Sequence, residues 1–318
     1  QGCEDGGLHL TIADTGWGKA VWGKLYGQWL CAANVFTYDF DRFSAAEFLD
    51  VIERYRITTF CAPPTMYRMM VAEGLEGHDL SSLFHCTTAG EALNPDLFES
   101  WKKATGLSMM EGFGQTETPL TVFTSTNMTP RPGAMGKPSP AYRVEIHDAD
   151  GEQAPPGQTG EIVVNIEGGS PAGIMIGYHL NPQKTAEAMH GGWYHTGDTA
   201  WADEDGYYWY VGRNDDLIKS SGYRIGPFEI ESVLLEHDAV GECAVIGVPD
   251  PDRGQAVLAA IVLAKGFEGT DELVKELQTW VKIRTAPYKY PRRIEFLDAL
   301  PKTVNGKIRR TELRQRFS

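Results

Sequence analysis

The sequence predicts an α/β fold in two parts, and three successive patterns along the chain predict it. Helical and β patterns alternate through the first part, which is typical of layered α/β proteins. From about Gly133, short β segments are separated by Gly, Pro and Asp, which favours a small barrel or a twisted sheet. A compact α+β pattern follows Asp215, so we place a domain boundary near that residue.

Local signals define the individual elements. Ser44 and Asn94 are good N-cap residues, Pro95 suits the first position of a helix, and Gly106 suits a helix end. A β-branched run that ends before two prolines predicts a buried strand. The predicted elements of the first part are a helix over 44–56, a strand over 57–61, a helix over 95–105 and strands over 143–148, 161–166 and 206–211. Those of the second part are a helix over 227–236, strands over 242–248 and 256–263, and a helix over 271–285.

Composition excludes several classes of partner and site. The 318 residues carry a net charge of -14, which disfavours nucleic acid and anionic membrane surfaces as general partners. An anionic substrate therefore requires a local cationic cluster. The five cysteines lack CxxC spacing, so a disulfide framework or zinc site is not expected and a reducing compartment fits better. No apolar run reaches the length of a membrane span. With no signal-like or transit-like segment, a cytoplasmic location is expected, or the mitochondrial matrix in a eukaryote.

Two glycine-containing segments have residues suited to a nucleotide. In EGFGQTE, residues 111–117, glycines permit close approach of the backbone, Thr116 offers a hydroxyl to phosphate, and Glu117 offers a hard carboxylate to Mg²⁺. Taken alone, this segment is more often a strand-to-helix turn with a capping threonine. In YHTGD, residues 194–198, Asp198 follows a glycine turn and could bind ribose hydroxyls. The alternative is an aspartate in an ordinary β-turn.

Two further segments supply positive charge. Arg213 and Arg224, within residues 212–226, have the fork geometry that suits phosphate oxygens. The alternative is a hairpin with exposed charges. Lys307 follows a glycine in PKTVNGK and could be carried by a loop tip into a site built elsewhere, where it would stabilise charge on a phosphate. The neighbouring arginines leave a basic tail as the alternative.

The order of these four motifs resembles that of the adenylate-forming superfamily, and the resemblance covers nearly the whole chain. Segments such as ADTGW, TAGEALNP and TAPYKYPRRIEF look similar to medium-chain acyl-CoA synthetases. The resemblance implies that residues 1–214 are the C-terminal portion of a large layered α/β AMP-binding domain with a small β-barrel-like subdomain. Residues 215–318 would be a small, mobile α+β domain that pivots at Asp215.

The resemblance also implies a two-step reaction and three cofactors or cosubstrates. A carboxylic acid would be activated by ATP to an acyl-AMP, with Mg²⁺, and coenzyme A would then displace AMP. The substrate would be a medium-chain or similar acid. An aryl-acid ligase of the benzoate type and a non-catalytic nucleotide- or coenzyme A-binding remnant remain alternatives. Oligomeric state and acyl chain length are not predicted.

Residue roles are carried over from the family motifs. The nucleotide would be bound by Gly90, Glu91, Ala92, Glu111, Gly112, Phe113, Gly114, Gln115, Thr116, Asp198 and Arg213. Thr116, Glu117 and Lys307 would be catalytic, with Glu117 binding the metal. Coenzyme A would be bound by Ser221, Gly222, Tyr223, Arg224, Arg253, Lys282 and Tyr290.

Two residues bear on substrate size, and one family motif is absent. Gly114 would leave room in the acyl pocket where acetate-specific relatives have a bulky tryptophan, and Trp17 would line that pocket or pack in the core. The Ser/Thr- and Gly-rich phosphate loop of the family does not occur in the sequence. We therefore expect this polypeptide alone to adenylate poorly, and to expose apolar surface.

Overall fold

The computed structural model describes residues 6–13, 15–302 and 308–318, which form two compact units. The first unit reaches Thr196 and also includes Ala200–Tyr210. The second contains Gly197–Thr199 and the described chain from Val211 onwards. Its continuous part begins at Val211, and the domain boundary near Asp215 stays a prediction.

The elements before residue 214 largely follow the sequence signals. The strands are β1 Leu8–Thr11, β2 Asn34–Phe36, β3 Thr59–Ala62, β4 His85–Ala89, β5 Met109–Gly114, β6 Leu120–Phe123, β7 Ala134–Pro138, β8 Val144–His147, β9 Gly160–Asn165, β10 Met189–His190, β11 Trp193–Ala202 and β12 Tyr208–Arg213. The helices are a π-helical segment Ala20–Tyr26 and α1 Gly27–Leu30, α2 Ala45–Tyr55, α3 Pro64–Glu73, α4 Pro95–Thr105 and α5 Pro182–Ala188.

The predicted helix caps are confirmed. The Ser44 hydroxyl accepts a hydrogen bond from the backbone N–H of Glu47, and the Asn94 side chain accepts one from Asp96. Gly106 ends α4 with a φ of 76°, in the left-handed region that glycine adopts without strain. The Glu47 carboxylate accepts a hydrogen bond from the Tyr38 hydroxyl, which ties the start of α2 to the segment before it.

These strands form one large mixed sheet. Its order is β2-β1-β3-β4-β5-β6-β7-β12-β11-β9-β8, with β10 paired to β11. The pairs from β2 to β5 are parallel, and α2, α3 and α4 connect β2, β3, β4 and β5 in turn. The pairing becomes antiparallel at β5–β6 and β6–β7. The strands after Gly133 therefore continue the same large sheet. The predicted barrel-like or twisted form of this part stays a prediction.

The first core lies between the parallel strands and their helices. Trp101 of α4 is completely buried and packs edge-on against Tyr67 of α3, with ring centroids 4.7 Å apart. Phe48 and Ile52 of α2 and Phe60 of β3 are buried in the same cluster. Burial of side chains of this size stabilises the fold by about 2 kcal/mol each.

The second unit is a small α+β structure. Its strands are β13 Ile218–Ser220, β14 Tyr223–Ile225, β15 Val240–Asp250, β16 Gly254–Leu263 and β17 Arg293–Phe296, and its helices are α6 Pro227–Leu235, α7 Asp271–Arg284 and α8 Arg310–Phe317. The sheet order is β14-β13-β16-β15, with β17 parallel to β16.

Both faces of the second sheet are covered, which explains the unbroken apolar run in β16. On one face Val245 and Ala259 pack with α6 and α7, and on the other Ile246 and Leu258 pack with Leu313 of α8. A strand buried on both faces has no alternation of polar and apolar residues.

The described cysteines differ in their exposure to solvent. In the described chain Cys31 is exposed, whereas Cys61, Cys86 and Cys243 are buried thiols that form no disulfide. Burial raises the pKa of Cys86 to about 12. None of the helices that the structure describes is both long and apolar enough to cross a bilayer.

Candidate functional site

Three predicted site segments meet in the first unit. A Cβ placed on Gly18 would lie 3.3 Å from the Cα of Thr116. Gly18, which follows Trp17, therefore packs directly against the backbone of Thr116. The Lys19 Nζ donates a hydrogen bond of 3.1 Å to the carbonyl oxygen of Ala89. The segment after β1 therefore contacts the last residue of β4 and the turn after β5, and Trp17 in this segment is half-buried.

Gln115 is held by two hydrogen bonds from one strand. The Tyr194 hydroxyl donates to its Oε1 at 2.7 Å, and its Nε2 donates to the carbonyl oxygen of Thr196 at 2.8 Å. Both partners belong to the YHTGD segment, so the second motif orients a residue of the first. Tyr194 was given no role from sequence, although it lies inside a quoted motif.

The turn that carries Thr116 and Glu117 is closed by Thr118. The Thr118 hydroxyl accepts a hydrogen bond from the backbone N–H of Gln115, and its own N–H donates to the Gln115 carbonyl oxygen. The turn joins β5 to the antiparallel strand β6. The alternative prediction of a strand-to-helix turn is therefore wrong, because a strand and not a helix follows the turn. Local signals did not predict this strand, since its pairing with β5 is a contact across the sheet.

Glu117 is a single carboxylate with one hydroxyl neighbour. The Tyr178 hydroxyl donates to its Oε1 at 3.1 Å, while Thr116 beside it is exposed. Among the described residues, no three His, Cys, Asp or Glu side chains converge as a metal site. One carboxylate still suits Mg²⁺, because this ion keeps several waters and is often bound through one or two carboxylates and substrate phosphates.

The turn after β4 is attached to the start of α3. Gly90 has a φ of 97°, a conformation that favours glycine, and is followed by half-buried Glu91 and Ala92. The Glu91 carboxylate accepts hydrogen bonds from the Thr65 hydroxyl at 2.7 Å and the Thr65 N–H at 3.3 Å. This backbone is thus fixed next to an exposed glycine that a planar base could approach.

Glu111 is a buried acid, which the sequence motif does not reveal. Its Oε1 accepts a 3.1 Å hydrogen bond from the Leu93 N–H, and within the described structure its Oε2 has no partner. Burial raises the pKa of Glu111 to about 8, partly opposed by the Leu93 hydrogen bond. At neutral pH this side chain is therefore mostly an uncharged acid that attaches β5 to the segment before α4.

The other residues of β5 pack closely against β6. A Cβ on Gly114 would lie 2.4 Å from the Pro119 carbonyl oxygen, and one on Gly112 would lie 3.0 Å from a Leu120 methyl. The half-buried Phe113 is next to them. Backbone packing therefore requires glycine at 114, independently of its predicted role in an acyl pocket.

Asp198 and Arg213 are neighbours in the second unit. Asp198 is 5% exposed, and its Oδ2 lies 3.9 Å from Arg213 Nη1. Arg213 Nε donates to Asp215 at 3.0 Å, and the Asn214 N–H donates to the Gly197 carbonyl oxygen at 2.8 Å. Asp198 lies within β11, so the predicted glycine turn and the alternative β-turn are both wrong. Gly197 has a φ of 71° inside the strand, a local irregularity that a two-residue signal cannot distinguish from a turn.

The predicted coenzyme A residues form two groups in the second unit. Ser221 and Gly222 are the two-residue turn between β13 and β14, which corresponds to the hairpin alternative. The Ser221 N–H donates to the Arg253 carbonyl oxygen at 3.0 Å. Lys282 Nζ lies 5.7 Å from the centre of the Tyr290 ring. Tyr223 and Arg224 are exposed at the start of β14.

Lys307 lies outside the described residues, so its predicted role stays a prediction. The described residues on its C-terminal side begin α8, where Arg310 makes two hydrogen bonds to the Glu231 carboxylate at 2.6 and 2.8 Å. Arg314 pairs with Asp216, directly after the predicted pivot.

Two family models match the chain. The AMP-binding enzyme model matches residues 8–179, and the AMP-binding enzyme C-terminal domain model matches residues 229–307. The first match alone covers more than half of the chain.

Known proteins agree with the family models. Rat mitochondrial acyl-coenzyme A synthetase ACSM3 is 49% identical over 96% of this chain and 53% of its own length. Human mitochondrial acyl-coenzyme A synthetase ACSM4 is 48% identical over the same shares. The chain thus spans about half the length of these relatives.

Solved structures of two CoA ligases match nearly the whole chain. The anthranilate CoA ligase AuaEII in complex with anthranoyl-AMP matches with a TM-score of 0.91, 34% identity, 99% of this chain and 60% of its own. A benzoate CoA ligase from Burkholderia xenovorans LB400 matches with a TM-score of 0.88, 31% identity, 98% of this chain and 62% of its own. The chain belongs to the AMP-binding enzyme family.

Proposed function

We propose that the chain is part of an AMP-forming acyl-CoA synthetase that activates a medium-chain carboxylic acid. The acid would attack the α-phosphorus of ATP through a carboxylate oxygen, with release of pyrophosphate. The sulfur of coenzyme A would then attack the acyl carbon, with release of AMP. A free carboxylate could react with the thiol only by expelling oxide, which is a poor leaving group. After adenylation the leaving group on the acyl carbon is AMP, which is a much better one.

The observation that carries this proposal is the convergence of three motif segments in the first unit. The contacts of Gly18 with Thr116 and of Lys19 with Ala89 bring together residues that are 98 and 70 positions apart in sequence. In an adenylating enzyme these segments would bind the adenine and the α-phosphate. A backbone held by Gln115 and Glu91 hydrogen bonds is preorganised for this task.

Each polar residue has a role that its chemistry supports. The Thr116 hydroxyl would donate to an α-phosphate oxygen, and Glu117 would hold Mg²⁺, which neutralises phosphate charge. Asp198 would accept hydrogen bonds from the ribose hydroxyls, with Arg213 beside it. Lys307 would stabilise charge on the α-phosphate and the attacking carboxylate. Positioning and charge stabilisation are the main requirements of phosphoryl-type displacement.

The residues around Asp215 are consistent with a proposed pivot. The side chain of Asp215 is 70% exposed. Before it, the Asn214 N–H donates to the Gly197 carbonyl oxygen, and after it, Asp216 forms an ion pair with Arg314. A segment with fixed ends and an exposed middle residue is a suitable place for a change of φ and ψ. Residues 215–318 would then be the mobile domain.

The substrate class has one competing candidate. The structural matches to anthranilate and benzoate CoA ligases support an aryl-acid ligase as the second possibility. A non-catalytic nucleotide-binding remnant is a third. The names of the rat and human relatives support a mitochondrial location over the cytoplasm.

Nucleotide binding by this chain tests the proposal directly. Titration calorimetry with AMP should show binding that Asp198→Asn weakens roughly tenfold or more, because hydrogen bonds to a charged group are lost. Asp150→Asn, in an exposed turn, is the matched control and should bind as the unmodified chain does. Equal affinity of all three proteins would contradict the assignment of Asp198.

Acyl-adenylate analogues separate the substrate classes. Octanoyl- and benzoyl-sulfamoyl adenosine differ only in the acyl group. Tighter binding of the octanoyl compound would support a medium-chain acid, and tighter binding of the benzoyl compound would favour the aryl alternative. The absence of binding of AMP and of both analogues would refute the proposed function.

A further inference from the structure

An exposed pair of stacked tyrosines lies beside the Ser221–Gly222 turn. The rings of Tyr223 and Tyr288 have centroids 4.0 Å apart and are inclined by 15°. Tyr223 is 50% exposed and Tyr288 is 38% exposed. A stacked pair of aromatic rings contributes about 0.5–1.5 kcal/mol in addition to the burial of apolar surface. This free energy is enough to favour one position of a short turn.

Tyr288 is presented by a rigid turn. The Lys289 N–H donates to the Ala286 carbonyl oxygen at 2.9 Å, with Pro287 between them at a position that proline favours. Lys289 Nζ also forms a 2.6 Å ion pair with Glu229 of α6. The turn that follows α7 is therefore fixed at its backbone and by a side chain.

The hairpin that carries Tyr223 is less well supported. Ser221 has a φ of 50° and Gly222 a φ of 84°, the pattern of a two-residue type I′ turn. A serine in this conformation is disfavoured relative to glycine or asparagine. β14 has three residues and, within the described sheet, pairs with β13 alone, so contacts at the Tyr223 ring contribute strongly to the turn geometry.

We propose that Tyr288 is a positioning residue for coenzyme A, which it serves by stacking on Tyr223 and fixing the Ser221–Gly222 turn in the conformation that receives this ligand. The inference rests on the proposed function, because only that proposal places coenzyme A at the turn. Tyr288 acts through Tyr223. The hydroxyl is not needed for stacking, so a phenyl ring should replace it.

Coenzyme A binding to this chain tests the proposal. Titration calorimetry should show that Tyr288→Ala weakens binding roughly two- to tenfold, the equivalent of one lost stack. Tyr288→Phe should bind as the unmodified chain does. Phe267→Ala is the control, because it removes another exposed aromatic ring of the second unit. Phe267 follows the end of β16, whereas Arg253 precedes its start, so this substitution should leave the affinity for coenzyme A unchanged.

Hydrogen exchange distinguishes positioning from general stability. In Tyr288→Ala the amides of Gly222 and Tyr223 should exchange several times faster, while those of β15 and the melting temperature should not change. Equal coenzyme A affinity of the Ala variant and the unmodified chain would overturn the role of Tyr288 alone. Faster exchange throughout β15 would also overturn it, because the tyrosine would then support the whole unit. An unmodified chain that binds AMP but not coenzyme A would overturn both this role and the coenzyme A part of the proposed function.

Discussion

Replacement of Glu111 by glutamine should make the first unit more stable at alkaline pH. The amide oxygen can still accept from the Leu93 N–H, and glutamine cannot ionise. The native carboxyl group is buried and its pKa is raised from 4.5 to about 8. Ionisation therefore favours the unfolded chain, where the group is solvated.

The sign and size follow from proton linkage. Because folding raises the pKa of Glu111, this residue does not lower the free energy of unfolding below about pH 4.5, where it is protonated in both states. The free energy of unfolding falls as the pH rises from about 4.5 to about 8. Between pH 5 and pH 8 this loss amounts to roughly 3 kcal/mol in the unmodified chain. His9 and His85 act in the opposite direction, because burial lowers their pKa values to about 3 and about 4 and stability falls below about pH 6.5. They are present in both proteins and cancel in the comparison.

Urea unfolding at pH 5 and pH 8, followed by tryptophan fluorescence, measures the effect. The stability of Glu111→Gln relative to the unmodified chain should rise by roughly 3 kcal/mol between the two pH values. Glu187→Gln on the exposed face of α5 is the control and should show no such rise. Parallel stability curves for Glu111→Gln and the unmodified chain would refute a neutral buried Glu111.

Two other substitutions test packing and charge. Arg310→Met should destabilise the second unit by about 3 kcal/mol in denaturant unfolding, because it leaves the buried Glu231 carboxylate without its cation. Arg309→Met, which breaks an exposed pair, should cost under about 0.5 kcal/mol, and equal losses would contradict the assignment. Gly114→Ala should lower stability by about 1–3 kcal/mol without ligand, since its Cβ would meet the Pro119 carbonyl oxygen at 2.4 Å. A stability equal to that of the unmodified chain would show that β6 can move aside.

Local signals were sufficient where neighbouring residues determine the structure. α4 begins and ends where Asn94, Pro95 and Gly106 predict, because capping depends on residues within one turn. The motif order likewise predicted the α/β architecture and the family. The observed ends of strands differ from the predicted ones by a few residues. In β15, for example, pairing with β16 extends the strand beyond its apolar centre.

Long-range contacts determine what the sequence did not reveal. Burial of Glu111 depends on α4 and Leu93, and the stack of Tyr288 on Tyr223 joins residues 65 positions apart. The π-helical segment Ala20–Tyr26 has no local signature in its sequence, which includes a tryptophan and a tyrosine that remain exposed. The role of Asp198 as a ribose ligand stays a prediction, and its place inside β11 was not predicted, because a glycine inside a sheet resembles one in a turn.

The buried cysteines give this protein its own reporters of transient opening. Cys86 in the first unit and Cys243 in the second are sequestered thiols, so an alkylating reagent can modify them only when their surroundings open. Thiolate, the reactive form, is further suppressed at Cys86 by its raised pKa. Mass spectrometry of labelled peptides over time would thus rank the opening rates of the two units within one sample, with exposed Cys31 as the internal standard for reagent activity.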